Sequence, residues 1–533
     1  MTMRTVTGLI DQLAAARGGD TAVIYEDRPI SFAEVAELGR RAATALSELG
    51  VGKGDRVALW LPNCPAYLAL YLGCCRLGAI AVAVNTRFRS AEVSDIIGRS
   101  GARILAMWPG FRHIDFLGLL AEVDRAALDG LETIVLYDEG QPVDKVPEPV
   151  VHCRRVDFRD MLDRPPYGGD HAAPELGCNI FTTSGTTKAP KFVLHGHSSI
   201  ASHARNIADG FGYATSQGAL LQMLPLCGVF GFTQMMAGLA SGQPTVLTAS
   251  FDPVEAVTLA DRYNVVNFNA TDDMILAILD ASDQPEPMPN LRFVGSAHFA
   301  TNYGELTARA EARGIRMMGL YGMSEVQALY ALQPLELPLV QRIAGGGRPI
   351  SDQAAVRVRD PDSGELLPPG QPGELELKGP SLMTEYYLDP EATAETFTED
   401  GYLRSGDLAE LTEDGRFLFL QRMGDVLRLG GFLVSPAEIE SHIQNHTSIE
   451  GCQVVGVRTD RGTRPVGFVT LAAGAGFDED ALRQHCLDSL ARFKAPMRIF
   501  PLDEFPTTKS ANGTKIQRTK LRQMAEEMAL PAG

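Results

Sequence analysis

The sequence predicts an α/β protein: a large N-terminal domain of several subdomains, in which layered α/β sheets carry a β-rich subdomain, followed by a small α+β C-terminal domain. Three observations predict it. The 533 residues exceed a single compact core, since domains run to ~100–200 residues. Strand-like and helix-like stretches alternate up to about residue 350, the pattern of a largely parallel sheet covered by helices. Beyond that point short strand-like runs alternate instead with Gly, Pro and Asp.

The elements follow in order. Glu34–Leu49 places Val35, Leu38, Ala42, Leu46 and Leu49 at helical spacing. Gly50-Val51-Gly52 stops that helix, and Asp55–Leu61 reads as a strand. The stretch LALYLGCCRLGAIAVAVN is the most apolar in the chain, but Arg76 interrupts it before the ~20 residues that a membrane span needs. It reads as a buried helix and then a buried strand. ILAMW, TIVLY, PTVLTA, VVNFNA and RFVGSA are further buried strands. AAVRVRD, GELELKG and GRFLFLQR, with the turns DPDSGE and PPGQPGE, make the β-rich part. After Arg422, MGDVLRLGGFLVSPAEIE leads into a helix, a strand CQVVGVR and a strand FVTLAA. The expected domains are therefore 1–422, with the β-rich subdomain at about 340–422, and 423–533. No internal repeat is visible, and LRQMAEEMALPAG reads as a fraying helix.

Composition narrows the function. Hydrophobic residues at 45% and charged residues at 21% are ordinary for a globular protein. A formal charge of -18 repels phosphate backbones and speaks against nucleic acid, although a local loop can still bind a small anion. The eight cysteines form no C-x-x-C pair. They read as reduced, buried thiols of a cytoplasmic protein, and their spacing predicts no zinc site. The N-terminus, MTMRTVTGLIDQLAAARGGD, has no apolar signal core.

One loop carries chemistry. TTSGTTKAPK, residues 182–191, follows the apolar run Cys178–Phe181. Such a loop after a strand can aim several backbone N–H groups at one point, and such nests bind anions. Thr183, Ser184, Thr186 and Thr187 supply hydroxyls, Gly185 allows close approach, and Lys188 and Lys191 supply charge. A polyphosphate is the guest this chemistry suits. The stretch is not a Walker loop, and on composition alone a polar surface turn is the favoured account of such a run.

Further motifs decide between these readings. GLYGMSE (319–325), GYLRSGD (401–407), the run from Arg422 through Glu440, and FPTTKSANGTKIQR (505–518) follow in that order, with GELELKGPSLMTEYYLDPEATAETF between them. Together with the loop they resemble, across nearly the whole chain, the signatures of the adenylate-forming superfamily of acyl-CoA synthetases, luciferases and peptide-synthetase adenylation domains. The resemblance implies an acid–thiol ligase working in two half-reactions. A carboxylate attacks the α-phosphate of ATP, and a thiol, usually coenzyme A, then displaces AMP from the acyl-adenylate. ATP, Mg²⁺ and coenzyme A are the implied cofactors. The implied partners are a small carboxylic acid or its acyl-AMP, with no nucleic acid, no membrane span, and a homodimer left open.

Residue by residue, the resemblance implies that Thr183–Thr187 and Lys191 cradle the β- and γ-phosphates. Glu325 would hold Mg²⁺, which prefers oxygen ligands. Ser324 would reach the α-phosphate, Tyr321 would stack on adenine beside Gly322, and Ser296 and Ala297 would complete the nucleotide site. Asp407 and Arg422 would bind the ribose. Lys515, on a C-terminal domain that rotates in this family, would bridge the carboxylate and α-phosphate. Gly430 and Gly431 would line the passage for the thiol arm.

The sequence also departs from the family pattern. Lys188 stands where glycine is usual, and Gly424 stands at the hinge position that is normally Asp or Lys. A glycine hinge widens the accessible backbone range. This opens an alternative: a member specialised for making the thioester from acyl-AMP supplied by another enzyme. Another alternative is loading of an acyl carrier protein in trans, as no carrier motif is visible before Gly533. A luciferase-like oxygenase and a non-enzymatic relic fit less well, since Lys515, Glu325 and Asp407 are intact. Gly228 in PLCGVFGF, next to Phe230, replaces a common His. Asp272 and Asp273 in NATDDM and His298 in GSAHF also depart from the usual pocket. These changes suggest a bulky acid with polar decoration.

Overall fold

A computed structural model of the protein describes residues 4–112, 114–138, 147–182, 190–297, 303–423, 427–429, 432–434, 436–459, 462–490, 492, 494–510 and 513–529. Packing divides the chain into two compact units. One is Met1–Ala355 with Leu377–Leu403, and the other is Val356–Glu376 with Arg404–Gly533.

The first unit is built on two sheets. In one, the strands stand in the order Gly346–Pro349, Ala331–Leu332, Met317–Tyr321, Phe293–Ala297, Val265–Thr271, Ala219–Gln222, Thr245–Leu247, Thr21–Tyr25 and Arg28–Ser31. Its middle strands are parallel and its two ends antiparallel. In the other, the order is Glu385–Tyr386, Phe192–Gly196, Gly177–Thr182, Ile80–Ala83, Arg56–Trp60, Ile104–Met107, Thr133–Leu136 and Arg154–Asp157. It is parallel except where Phe192–Gly196 meets its two neighbours. Buried parallel strands need apolar residues on both faces, which is why VVNFNA and its counterparts read as unbroken runs.

The helix expected at 34–49 spans Phe32–Glu48. It begins earlier because Ser31 and Glu34 form a reciprocal capping box. The apolar run that Arg76 interrupts is the buried helix Pro65–Leu77 followed by the strand Ile80–Ala83. Arg76 is buried but paired: its guanidinium lies 2.7 Å from Asp11, which also binds Arg40 at 2.8 Å. Around this helix Tyr71 meets Phe232 edge-on, and Phe232 meets Phe181. Among the described residues, no helix is long and apolar enough to cross a membrane. All eight cysteines are free and buried.

Two elements escape the sequence patterns. Val6–Arg17 is a helix, and Thr21–Tyr25 pairs with Arg28–Ser31 as a hairpin. Its turn puts Glu26 and Asp27 at φ 49° and 59°, where Gly or Asn would have signalled the turn. Arg262 and the Tyr263 hydroxyl, each 2.6 Å from Asp27, hold it instead.

In the second unit the strands Ala355–Arg359, Gly373–Lys378, Leu403–Leu411 and Phe417–Arg422 stand side by side. Glu376 is fully buried there between Arg357 and Arg359. Ile449–Thr459 and Gly462–Leu471 form a ribbon longer than CQVVGVR and FVTLAA suggest, and Arg498–Pro501 joins it in parallel. Leu427, Val434, Ile439, Val454 and Leu482 fill the core beneath it. The tail helix is Arg518–Ala529. Residue 422 falls inside this unit. The boundary expected at 423 concerns a hinge, a property distinct from packing.

Candidate active site

In open parallel sheets, ligands gather beyond the carboxyl ends of the strands. Three of the predicted nucleotide residues, Ser296, Ala297 and Tyr321, stand there. Ser296 and Ala297 end the strand Phe293–Ala297, in register with Ala270 and Thr271. Tyr321, also buried, ends Met317–Tyr321. Ser296 Oγ is buried and has no hydrogen-bond partner among the described residues, an arrangement that calls for an explanation. Asp272 and Asp273 open the helix Asp272–Asp280, where carboxylates suit the positive helix end. Asp272 is buried and Asp273 exposed. Partial loss of solvent around its carboxyl, and the neighbouring Asp272, push Asp273 up from its usual range.

The residues after Tyr321 make a tight reversal. Gln327, Ala328 and Leu329 have φ of 62°, 51° and 45°, three successive left-handed residues with no glycine among them. Such residues persist only where the surroundings fix them. The N–H of Ala328 donates to Met323 O at 2.9 Å, and Tyr330 N–H donates to Tyr321 O at 2.8 Å. The His203 ring bonds Ala328 O at 2.8 Å, and the Gln327 amide donates to Ser381 O at 3.1 Å. This reversal presses on Gly322: a Cβ there would stand 2.5 Å from Ala328 Cα.

It also delivers Glu325. The Tyr386 hydroxyl donates to Glu325 Oε1 at 2.8 Å, and Met383 N–H donates to the Glu325 carbonyl at 2.7 Å. Thr384 N–H and Tyr387 N–H bond Leu194 O and Phe192 O on the neighbouring strand. The Lys191 ammonium lies 4.2 Å from the centre of the Tyr386 ring, a cation–π contact. His195, on the same strand as Phe192, bonds Ser324 O at 2.8 Å. One short segment, 383–387, thus ties Lys191, at the end of the candidate phosphate loop, to the predicted metal carboxylate. Glu325 is buried and its carboxylate is an all-oxygen acceptor, so the donor chemistry fits Mg²⁺. Burial holds the rings of His195 and His203 down to about 4, so both are neutral at physiological pH.

Asp407 and Arg422 face each other across paired strands of the second unit, with Arg422 Nε 3.0 Å from Asp407 Oδ1. Ser405 Oγ accepts Asp407 N–H and donates to Leu375 O at 2.6 Å, holding the bend. Lys515 lies on the strand Gly513–Ile516, opposite Thr508. Gly228 caps the helix Val229–Ser241, and a Cβ there would meet only Pro225 O, at 3.5 Å. Phe230 packs into a core cluster with Ala328 and Leu329. Thr183, Ser184, Gly185, Thr186, Thr187, Lys188, His298, Gly424, Gly430 and Gly431 lie outside the described residues, as does the Lys515 side chain.

Tyr386 and His195 were not singled out from the sequence. Tyr386 sits in a Tyr-Tyr pair inside the linking region, and only its spatial partner marks it.

Comparison with known proteins adds to this geometry. The family profile described as AMP-binding enzyme matches residues 10–387, and the one described as AMP-binding enzyme C-terminal domain matches residues 438–512. A 3-[(3aS,4S,7aS)-7a-methyl-1,5-dioxo-octahydro-1H-inden-4-yl]propanoyl:CoA ligase of Mycobacterium tuberculosis is 30% identical, covering 98% of this chain and 99% of its own. A putative acyl-CoA synthetase, YngI, of Bacillus subtilis is 27% identical over 98% of this chain and 97% of its own. The crystal structure of the anthranilate CoA ligase AuaEII in complex with anthranoyl-AMP superposes with a TM-score of 0.79 at 25% identity, covering 98% of each chain.

Proposed function

Because this chain belongs to the AMP-binding enzymes of the adenylate-forming superfamily, and is an AMP-forming acid–thiol ligase, we propose that it joins a bulky, ring-bearing carboxylic acid to coenzyme A. The carboxylate oxygen bonds to the α-phosphorus of ATP and pyrophosphate leaves. The thiol sulfur then bonds to the acyl carbon, AMP leaves, and the thiol proton passes to solvent. The observation that carries this reading is the Lys191–Tyr386–Glu325 chain at the carboxyl ends of the strands.

The first step brings two anions together, so its demand is charge neutralisation and alignment. Lys191 and the loop before it supply positive charge and N–H donors. Tyr386 fixes the Glu325 carboxylate by donating to Oε1. A magnesium ion held there would neutralise phosphate charge. Ser324 serves the α-phosphate, its backbone fixed by His195. Asp407, already set by Arg422 and Ser405, accepts the ribose hydroxyls. Lys515 stabilises the charge that develops as the adenylate forms.

The bulky acid rests on Gly228, which presents no side chain where a Cβ would meet only Pro225 O, at 3.5 Å. Relatives support rings: three are described as ligases of 4-coumarate, of an octahydroindenyl propanoate and of anthranilate. The test is a panel of aromatic, alicyclic and short-chain acids with ATP and coenzyme A, read by mass. Acyl-CoA with AMP from the ring acids, and little from acetate, is the expected result. Preference for acetate would overturn the pocket reading, and transfer only to added carrier proteins would replace coenzyme A as the acceptor.

A further inference from the structure

Away from the nucleotide site, three soft donors meet in the core of the first unit. Cys75 lies on the helix Pro65–Leu77, Cys178 on the strand Gly177–Thr182, and His197 opens the helix His197–Gly210. They are far apart in sequence, so no spacing motif reveals them. Their Sγ atoms and a ring nitrogen all lie within 4.8 Å of one another, and all three residues are buried. Both ring nitrogens of His197 are buried with no hydrogen-bond partner among the described residues. A desolvated imidazole without partners is costly, and such a group calls for an explanation. The Tyr71 hydroxyl, one helical turn before Cys75, lies 3.9 Å from Cys178 Sγ.

We propose that Cys75, Cys178 and His197 form a buried site for one thiophilic d¹⁰ cation, zinc(II) or copper(I). Two thiolates and an imidazole suit either ion, as a three-coordinate copper(I) or, with the Tyr71 oxygen, a four-coordinate zinc. Metal–ligand distances of about 2.0–2.3 Å put donor atoms roughly 3.5–4 Å apart, so the cluster closes by about 1 Å at most. Binding breaks two S–H bonds, forms two metal–sulfur bonds and releases two protons to solvent. The three donors are buried, so the ion enters before the core closes. It then clamps two helices to the strand that leads into the phosphate loop. This site differs in kind from the carboxylate at Glu325, which suits a hard cation.

The experiment uses the full chain, produced in cells grown with added zinc or with added copper and purified with reductant. Metal is counted by mass spectrometry after dialysis against chelator. About one ion per chain is expected, the growth condition telling zinc from copper. The ion should be lost in the double variant Cys75→Ser, Cys178→Ser and in His197→Asn. Substoichiometric metal in the wild-type chain from both growths overturns the proposal, as does a double variant that keeps its ion. Should the variants be insoluble, X-ray absorption of the wild-type chain decides: a shell with two sulfurs supports the site, and an all-oxygen and nitrogen shell overturns it. Thiol titration of chain denatured without reductant gives a further check. Finding six thiols instead of eight would show a disulfide in place of the ion, and the proposal would fall.

Discussion

Tyr386 shows what one hydroxyl does at this site. It donates to a buried carboxylate at 2.8 Å while its ring face meets Lys191. A hydrogen bond to a charged group contributes roughly 1.5–3 kcal/mol. Tyr386→Phe should therefore slow acyl-AMP formation by about 10–100-fold, with thioester formation from supplied acyl-AMP nearly unchanged. Parallel assays of pyrophosphate release and acyl-CoA yield measure the two steps. Equal loss in both would show that Tyr386 holds the fold and not the carboxylate. The charged residues Glu325, Asp407 and Arg422 were legible as candidates because their motifs carry chemistry. Tyr386 was not, because its role exists only through Glu325, 61 residues away.

At the scale of elements, the reversal at 327–329 joins two kinds of constraint. Gly322→Ala would drive a methyl into Ala328 Cα at 2.5 Å, and overpacking of this kind costs ~1–3 kcal/mol or more. Ala328→Gly relieves a left-handed residue and should change stability by less than about 1 kcal/mol. Chemical denaturation of both variants checks the contrast, and equal destabilisation would mean that the close approach is not what fixes Gly322. His195 and His203 add a pH dependence. Each ring is held near 4 when folded against an ordinary 6.5. The stabilisation from the neutral rings is therefore complete above about 6.5, falls with pH, and is gone below about 4, on the order of 3 kcal/mol per ring. Urea midpoints from pH 7.5 down to 5 should drop, and His203→Gln should flatten that slope; an unchanged slope removes the assignment. Regular elements were readable from apolar runs and spacing. The reversal was not: Gln, Ala and Leu carry no sign of left-handed backbone, and neighbouring elements impose it.

For the whole molecule, the proposed adenylation has Lys515 reach its pose, and the motif resemblance puts Gly424 at the hinge position. If the glycine leaves that pose scarce, apparent adenylation falls by the missing fraction. Gly424→Lys should raise acyl-AMP formation relative to thioester formation from supplied acyl-AMP, whereas Lys515→Ala should abolish the first step and spare the second. Brisk wild-type adenylation with Gly424→Lys no faster would make this hinge glycine neutral and the chain a ligase competent in both half-reactions. The alternation of strands and helices made the layered architecture legible. The grouping of 356–376 with 404–533 was not, because it depends on strands brought together from either side of an insertion at 377–403.

The eight buried thiols bear on the fate of the intermediate. An acyl-adenylate is an acylating reagent, and the reaction ends only when a sulfur takes the acyl group. Any protein sulfur within reach would compete with coenzyme A and leave the enzyme labelled by its own product. With every cysteine under the surface, and burial raising thiols such as Cys227 and Cys452 above their usual range, the chain presents no rival nucleophile of that kind. The incoming cosubstrate is then the one thiolate that the activated acid meets, and self-modification is suppressed by where the sulfur atoms are kept.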